Sequence, residues 1–374
     1  MKGIMTVIQS LLLLGVAQGI LLGAVLWTTK RGPKTANRML GSIVLIFAVS
    51  ILLHALGHGR SSLDLKYHDS ILHLGFLVIN PLLFFYVRAL TAQGFRWTML
   101  EFLHFTPVVI GFVLLVLNTP VNFMNYQLLT ELIGTSIGVQ AVFYIILSYR
   151  RLRRHSQMIA NTFSSIERMN LQWIRFLLGM FSLVWIFALA MEISKNELFM
   201  MDLFWLFMSL FIYLMGYFGL RQPEIFTGIP QLDQPPEPAG KRKYEKSTLT
   251  FQKSEEYLQQ LQQVMKMEKP YIERDITLPA LAAKLALTTH ELSQLINERL
   301  NKNFFEFINT YRVDEAKVMM ADRRFIHLSI AAIGYEAGFN SVSAFNAAFK
   351  KHAGIIPSQY RQTCLSEMQS SPKL

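Results

Sequence analysis

Two runs of polar side chains near the C-terminus have the chemistry to read another molecule. The first holds Thr289, His290, Ser293, Gln294 and Asn297; the second holds Asn340, Ser341, Ser343 and Asn346, with Lys350 and Lys351 one turn later. Asn and Gln amides can donate and accept together at an adenine edge, hydroxyls suit a base edge or a phosphate, and ammonium groups suit phosphates. His290 fits a solvated surface equally well. Each run opens a stretch of helical apolar spacing, so the polar residues fall at the front of a helix, the end that enters a DNA major groove in a reading domain.

The elements that must hold these runs are legible from punctuation and period. In "DITLPALAAKLALTTHELSQLINERL", Thr277 is placed as an N-cap with Pro279 in the first turn, and Leu281, Ala282 and Leu285 form an apolar stripe. Thr288 and Glu291 form a T-x-x-E capping box for a following helix. Two short helices joined by a tight turn make a helix-turn-helix. "LSIAAIGYEAGFNSVSAFNAAFKK" repeats it: Ile333, Gly334 and Ala337 answer Leu281, Ala282 and Leu285 at an offset of 52. Phe345 answers Leu292 at 53, so the second turn is one residue longer, and Gly338 suits the end of its first helix. Leu292, Leu295, Phe345 and Phe349 are expected in the core, and Glu291 and Glu298 as cap and surface. The intervening "NKNFFEFINTYRVDEAKVMMADRRF" reads as one linking helix. Upstream, "FQKSEEYLQQLQQVMKM" puts Leu258, Leu261 and Met265 on one helical face. Two reading helices about 34 Å apart would meet successive major grooves.

The rest of the chain has a different composition. Of 374 residues, 52% are hydrophobic and 16% charged, against about 45–50% and 25% in ordinary domains. The net charge of +11 divides into +8 for residues 1–220 and +3 for residues 221–374, so bulk basicity does not carry a nucleic-acid argument for the tail. Seven apolar stretches, at roughly 5–28, 39–57, 71–90, 104–120, 128–148, 173–191 and 202–220, reach the length of about 20 residues that a membrane helix needs. The joins alternate in charge. Lys30, Arg31, Lys34 and Arg38 follow the first, Arg88 and Arg96 the third, and Arg150, Arg151, Arg153, Arg154 and Arg168 the fifth, whereas the other joins carry only Arg60, Lys66 and Lys195. Basic loops stay in the cytoplasm, which puts the N-terminus outside and everything after the seventh span inside. The first apolar run continues to Trp27 without a small-residue cleavage site and is read as a retained helix.

Polar groups inside such spans are costly and worth a functional reading. His54, His58, His73, Glu131 and Glu192, with Asp202, fall near the outer side. The four-residue spacing of His54 and His58 would suit a metal; a small-ligand pocket, pH sensing by histidine and simple interfacial polarity remain open beside it. Gly15, Gly19 and Gly23 repeat G-x-x-x-G in the first span, for self-association or for packing within the chain. Asn80 and Gln140 are expected to bond between helices. Residues 221–250, with five prolines and the cluster Lys241, Arg242 and Lys243, read as a semi-stiff basic linker.

The C-terminal part resembles the DNA-binding domain of the AraC/XylS family of bacterial transcription regulators. "FINTYRVDEAK" is similar to its linking helix and "AGFNSVSAFNAAFKKHAGIIPSQYR" to its signature, through the terminal P-S-x-Y-R. "GVAQGILLGAVLW", "TANRML", "NPLLFFYVRALT" and "LHFTP" resemble the membrane module of such regulators with seven spans. Ala347 stands where the family often has arginine and Gly334 where alanine is usual; the expectation is a weaker contact and looser packing in the second unit.

The resulting expectation is an all-α chain: a seven-helix transmembrane bundle (1–220), the linker (221–250), a double helix-turn-helix domain (251–366) and a short tail (367–374). It would be a one-component regulator in a bacterial inner membrane, with double-stranded DNA, the lipid bilayer, an unknown small-molecule, ion or envelope signal, and a homodimer mate as partners. Signal transfer is expected through the seventh span and the linker. No nucleophile elbow, phosphate loop, H-E-x-x-H or reactive-cysteine context occurs, and the lone Cys364 excludes an internal disulfide, so neither catalysis nor a cofactor is expected. A transporter or channel with a regulatory DNA-binding tail is the alternative, disfavoured by an odd span count and by the lack of a repeat between halves.

Overall fold

The computed structural model describes residues 2–30, 32–57, 68–92, 95–121, 125–166, 171–193, 197–220 and 251–370. The proline-rich linker and His58 lie outside the described residues, as does the side chain of Glu192. Among the described residues the regular structure is helical, apart from one isolated antiparallel bridge between Phe163 and Thr277. These residues form two compact units. One runs to Arg153 and resumes from Leu171 through the last apolar helix; the other joins residues 154–166 to the C-terminal part.

The first unit contains α1 (Lys2–Thr28), α2 (Lys34–Gly57), α3 (His68–Thr91), a short α4 (Met99–Phe102), α5 (Thr106–Val121), most of α6 (Tyr126–Thr162), α7 (Gln172–Ile193) and α8 (Glu197–Leu220). Seven of its helical stretches are long and apolar enough to cross a membrane, matching the seven expected from hydropathy. Helix α6 runs 14 residues past the expected end of its apolar stretch, because "YRRLRRHSQMIANT" contains no helix breaker.

The glycine stripe of α1 is filled from within the chain. A Cβ on Gly15 would collide with Ser209, one on Gly19 would lie 2.8 Å from the Ala48 Cβ, and one on Gly23 would lie 2.5 Å from Leu45. Gly15, Gly19 and Gly23 therefore seat α1 against α2 and α8, the packing within the chain that was one of the two readings of this stripe. The opposite side of α1 exposes Leu14, Leu21 and Val25. Asn80 and Gln140 bond to each other: the Asn80 amide donates to Gln140 Oε1 at 3.2 Å and to the Ile137 carbonyl at 3.3 Å.

The second unit contains α9 (Phe251–Met267), α10 (Leu278–Lys284), α11 (Thr289–Leu300), α12 (Phe304–Ala321), α13 (Ile330–Glu336), α14 (Val342–Ala353) and α15 (Pro357–Ser370). Two cores sit side by side. Leu261 and Met265 of α9 join Leu281, Leu292, Leu295 and Phe307 in one; Val313, Ala316, Ile333, Phe345 and Phe349 build the other. Helix α12 supplies apolar residues to both, which makes it the shared spine of the two helix pairs.

Candidate nucleic-acid interface

The two helix pairs are built alike from their caps upward. Helices α10 and α13 each have seven residues, α11 and α14 each have twelve. Thr277 Oγ1 accepts from the Ala280 amide, and Ser329 Oγ accepts from the Ala332 amide at the matching place. Thr288 Oγ1 accepts from the Glu291 amide while Glu291 reaches back to the Thr288 amide at 2.9 Å, so the expected capping box is formed. Ser341 caps α14 by accepting from Ala344 at 3.1 Å. These bonds pull the Glu291 carboxyl below its ordinary pKa, chiefly through the Thr288 amide and then its hydroxyl.

The turns differ as their spacing implied. Ala286 and Gly338, 52 residues apart, both take positive φ, at 52° and 95°. In the longer second turn a Cβ on residue 338 would meet the Tyr271 carbonyl oxygen at 2.6 Å, so glycine is required there for space as well as for conformation. Gly334 corrects the expectation of loose packing. Its ideal Cβ would lie 2.8–3.2 Å from Phe345, so the missing methyl makes room for a phenyl ring; Ala282 and Leu292, both buried, stand at the matching places of the first helix pair.

The candidate contact residues separate by exposure. On α11, His290 is exposed and Thr289, Ser293 and Asn297 are half-buried. Asn297 folds its amide back onto the Ser293 carbonyl at 2.8 Å. Gln294 differs from the expectation of an open contact residue: it is only 5% exposed and donates to Glu298 at 3.1 Å. On α14, Ser343, Asn346, Ala347 and Lys350 are exposed and Ser341 is half-buried. Asn340, also exposed, spends its amide on Ser165 Oγ and Asp275 Oδ1, both at 2.8 Å. Lys351 donates to Glu306, a pairing that holds the Glu306 carboxyl below its usual range. The two helices also differ in charge: α11 carries Glu291 and Glu298 beside Arg299, whereas α14 has no carboxylate and ends in Lys350, Lys351 and His352.

Reading for polar spacing missed the residues that fix the frame. Arg361, from the terminal P-S-x-Y-R, donates to the carbonyls of Leu328 and Ile326, and Tyr360 packs edge-on to Phe349 at 5.4 Å. The motif therefore ties α15 to the entrance of α13. Arg312, in the middle of α12, is 1% exposed and donates to the Tyr271, Glu273, Arg274 and Ser164 carbonyls. A charged residue at an apolar phase of "FINTYRVDEAK" was the available signal.

In the first unit His54 is buried, its Nε2 lies 3.7 Å from Asp202 Oδ1, and its ring stacks on Trp205 at 4.9 Å. His73 is half-buried, and exposed Glu131 accepts from Gln127 at 3.0 Å. Among the described residues no three His, Cys, Asp or Glu side chains gather as a metal site would require.

A family model described as a helix-turn-helix domain matches residues 281–363. An uncharacterised HTH-type transcriptional regulator of Staphylococcus aureus (strain COL) is 29% identical over 103 residues, which cover 27% of this chain and 13% of that protein. The arabinose operon regulatory protein of Escherichia coli (strain K12) is 28% identical over 85 residues, 23% of this chain and 28% of that protein. The chain thus spans well under a third of either relative. A protein of unknown function from Listeria innocua matches 28% of this chain and 95% of its own at 24% identity and a TM-score of 0.25, too loose a likeness to define a fold. The C-terminal region is a helix-turn-helix domain, and the relatives it matches are transcriptional regulators.

Proposed function

We propose that this chain is a membrane-anchored transcription regulator. Its seven-helix unit sits in the bacterial cytoplasmic membrane with the N-terminus outside, detects a signal, and controls sequence-specific binding of DNA by the cytoplasmic C-terminal unit. The observation that carries the reading is the duplicated helix pair, with equal helix lengths and matched caps, on one chain with seven apolar helices. The alternating basic joins support the orientation, since they leave the reading helices where DNA is.

Within this reading, α11 and α14 enter successive major grooves. Thr289, His290, Ser293 and Asn297 face the duplex on the first, Ser341, Ser343 and Asn346 on the second, and Lys350 meets a phosphate. Asn340 joins them when its internal bonds are released. The outer ends of α2 and α8, around His54 and Asp202, are where the signal acts. Selection of bound duplexes from a random pool by the full chain in lipid nanodiscs tests the reading. Two half-sites about one helical turn apart are expected; enrichment of no sequence contradicts it.

A further inference from the structure

The end of α6 and the residues after it, 162–166, belong to the same compact unit as the reading helices although they are far from them in sequence. Thr162 and Ser164 are 1% and 2% exposed. Phe163 forms the antiparallel bridge with Thr277, the N-cap of α10. The Ser164 amide donates to the Ile276 carbonyl at 3.3 Å, and its hydroxyl donates to the Arg274 carbonyl at 3.4 Å.

Arg312 makes this contact more than a surface touch. Its guanidinium donates to the Tyr271 carbonyl at 2.7 Å, the Glu273 carbonyl at 2.9 Å and the Arg274 carbonyl at 3.1 Å, and lies 5.8 Å from the Phe339 ring. Residue 164 adds its carbonyl at 3.2 Å and its hydroxyl at 3.3 Å. A buried cation tolerates its setting only when its donors are satisfied. Removing residue 164 would leave part of this fork facing a gap. The same segment reaches the second reading helix, because Ser165 Oγ accepts from Asn340, the residue just before the Ser341 cap.

We propose that residues 162–166 are a docking segment for the seam between the two helix-turn-helix pairs, and that its release is what frees Asn340 and lets the two pairs adjust to DNA. This deepens the proposed function and rests on it. While docked, the segment ties α12, the entrance of α10 and the front of α14 together through Arg312, Thr277 and Asn340. Its Ser165 hydroxyl, together with Asp275, also holds the Asn340 amide on internal acceptors, so that this side chain donates to no phosphate or base. Helix α6 is unbroken from Tyr126 to Thr162, so movement of its apolar portion is transmitted along one helix to the segment. This route differs from the seventh helix and proline linker that the sequence alone suggested.

The test uses the full chain in lipid nanodiscs, with a labelled mixed-sequence 24-base-pair duplex as the probe. Ser164→Leu replaces a buried hydroxyl by a neutral side chain too large for its place, adding no charge that would itself attract DNA. Ser165→Ala removes only the segment's own acceptor for Asn340 and leaves Asp275 in place. Hydrogen exchange over residues 162–166 and 274–277 is expected to quicken at least tenfold in Ser164→Leu and to stay near wild type in Ser165→Ala. Duplex affinity is expected to rise about fivefold in both, the worth of one regained hydrogen bond. Unchanged exchange in Ser164→Leu overturns the docking; faster exchange with unchanged or weaker duplex binding in both variants overturns its control of DNA. Absence of duplex binding by every form, wild type included, sinks the functional reading itself, while the exchange result still judges the docking.

Discussion

At the scale of single residues, small changes in the two helix pairs have opposite expected effects. Gly334→Ala is expected to cost about 1–3 kcal/mol, because the new methyl presses on the rigid Phe345 ring. Ala286→Gly is expected to stabilise the first pair by about 1 kcal/mol, by relieving an L-residue at positive φ. Thermal unfolding of the purified chain, followed by exchange at α10 and α13, separates the two. Thr288→Ala is expected to lose about 1 kcal/mol through the capping box. The Glu291 half of that box is pH-dependent. Its carboxyl is held below its ordinary pKa when folded, so its contribution is present above the ordinary carboxylate range and lost as pH falls through the folded value. Glu291→Ala and wild type should therefore converge in acid, whereas Thr288→Ala keeps the loss of the hydroxyl that accepts from the Glu291 amide; a Glu291→Ala difference that stays constant in acid would contradict the assignment. On α14, Ala347 is exposed beside Asn346. Ala347→Arg should tighten duplex binding and steepen its dependence on log salt by about one unit, measured by anisotropy titrations from low to physiological salt.

Helices and caps were legible in the sequence; what their far sides touch was not. Thr277, Thr288 and Gly338 could be assigned because each follows from local backbone chemistry within a few residues. The shift in offset from 52 to 53 likewise required only counting. Gln294 falls with Thr289, His290, Ser293 and Asn297 on one polar arc of α11, and the sequence alone does not say which member of that arc packing covers. The Gly15, Gly19 and Gly23 stripe has the same ambiguity, since small residues admit any close neighbour, whether it belongs to this chain or another. Replacing Gly19 by Leu is accordingly expected to lower bundle stability in detergent with no change in oligomeric mass by light scattering. The contact of residues 162–166 with Arg312 joins positions about 150 apart and leaves almost no local mark, apart from an arginine at an apolar phase of α12.

At the scale of the whole molecule, the account joins a sensor and a reader in one chain. A net charge of +3 on residues 221–374 gives the tail only modest general attraction to DNA, so binding depends on where its few cations and amides stand. Helix α14 carries no carboxylate and α11 carries two, a difference in charge that would favour α14 within the proposed reading. The central claim is that the membrane-embedded chain reads specific DNA sites. Chromatin immunoprecipitation of the full-length protein, beside a variant carrying His290→Ala and Asn346→Ala, tests it most directly. The account predicts discrete genomic peaks for the wild type that the double variant loses while remaining in the membrane fraction. Peaks that survive in the variant, or no peaks from a membrane-resident protein under any outside condition, would contradict it.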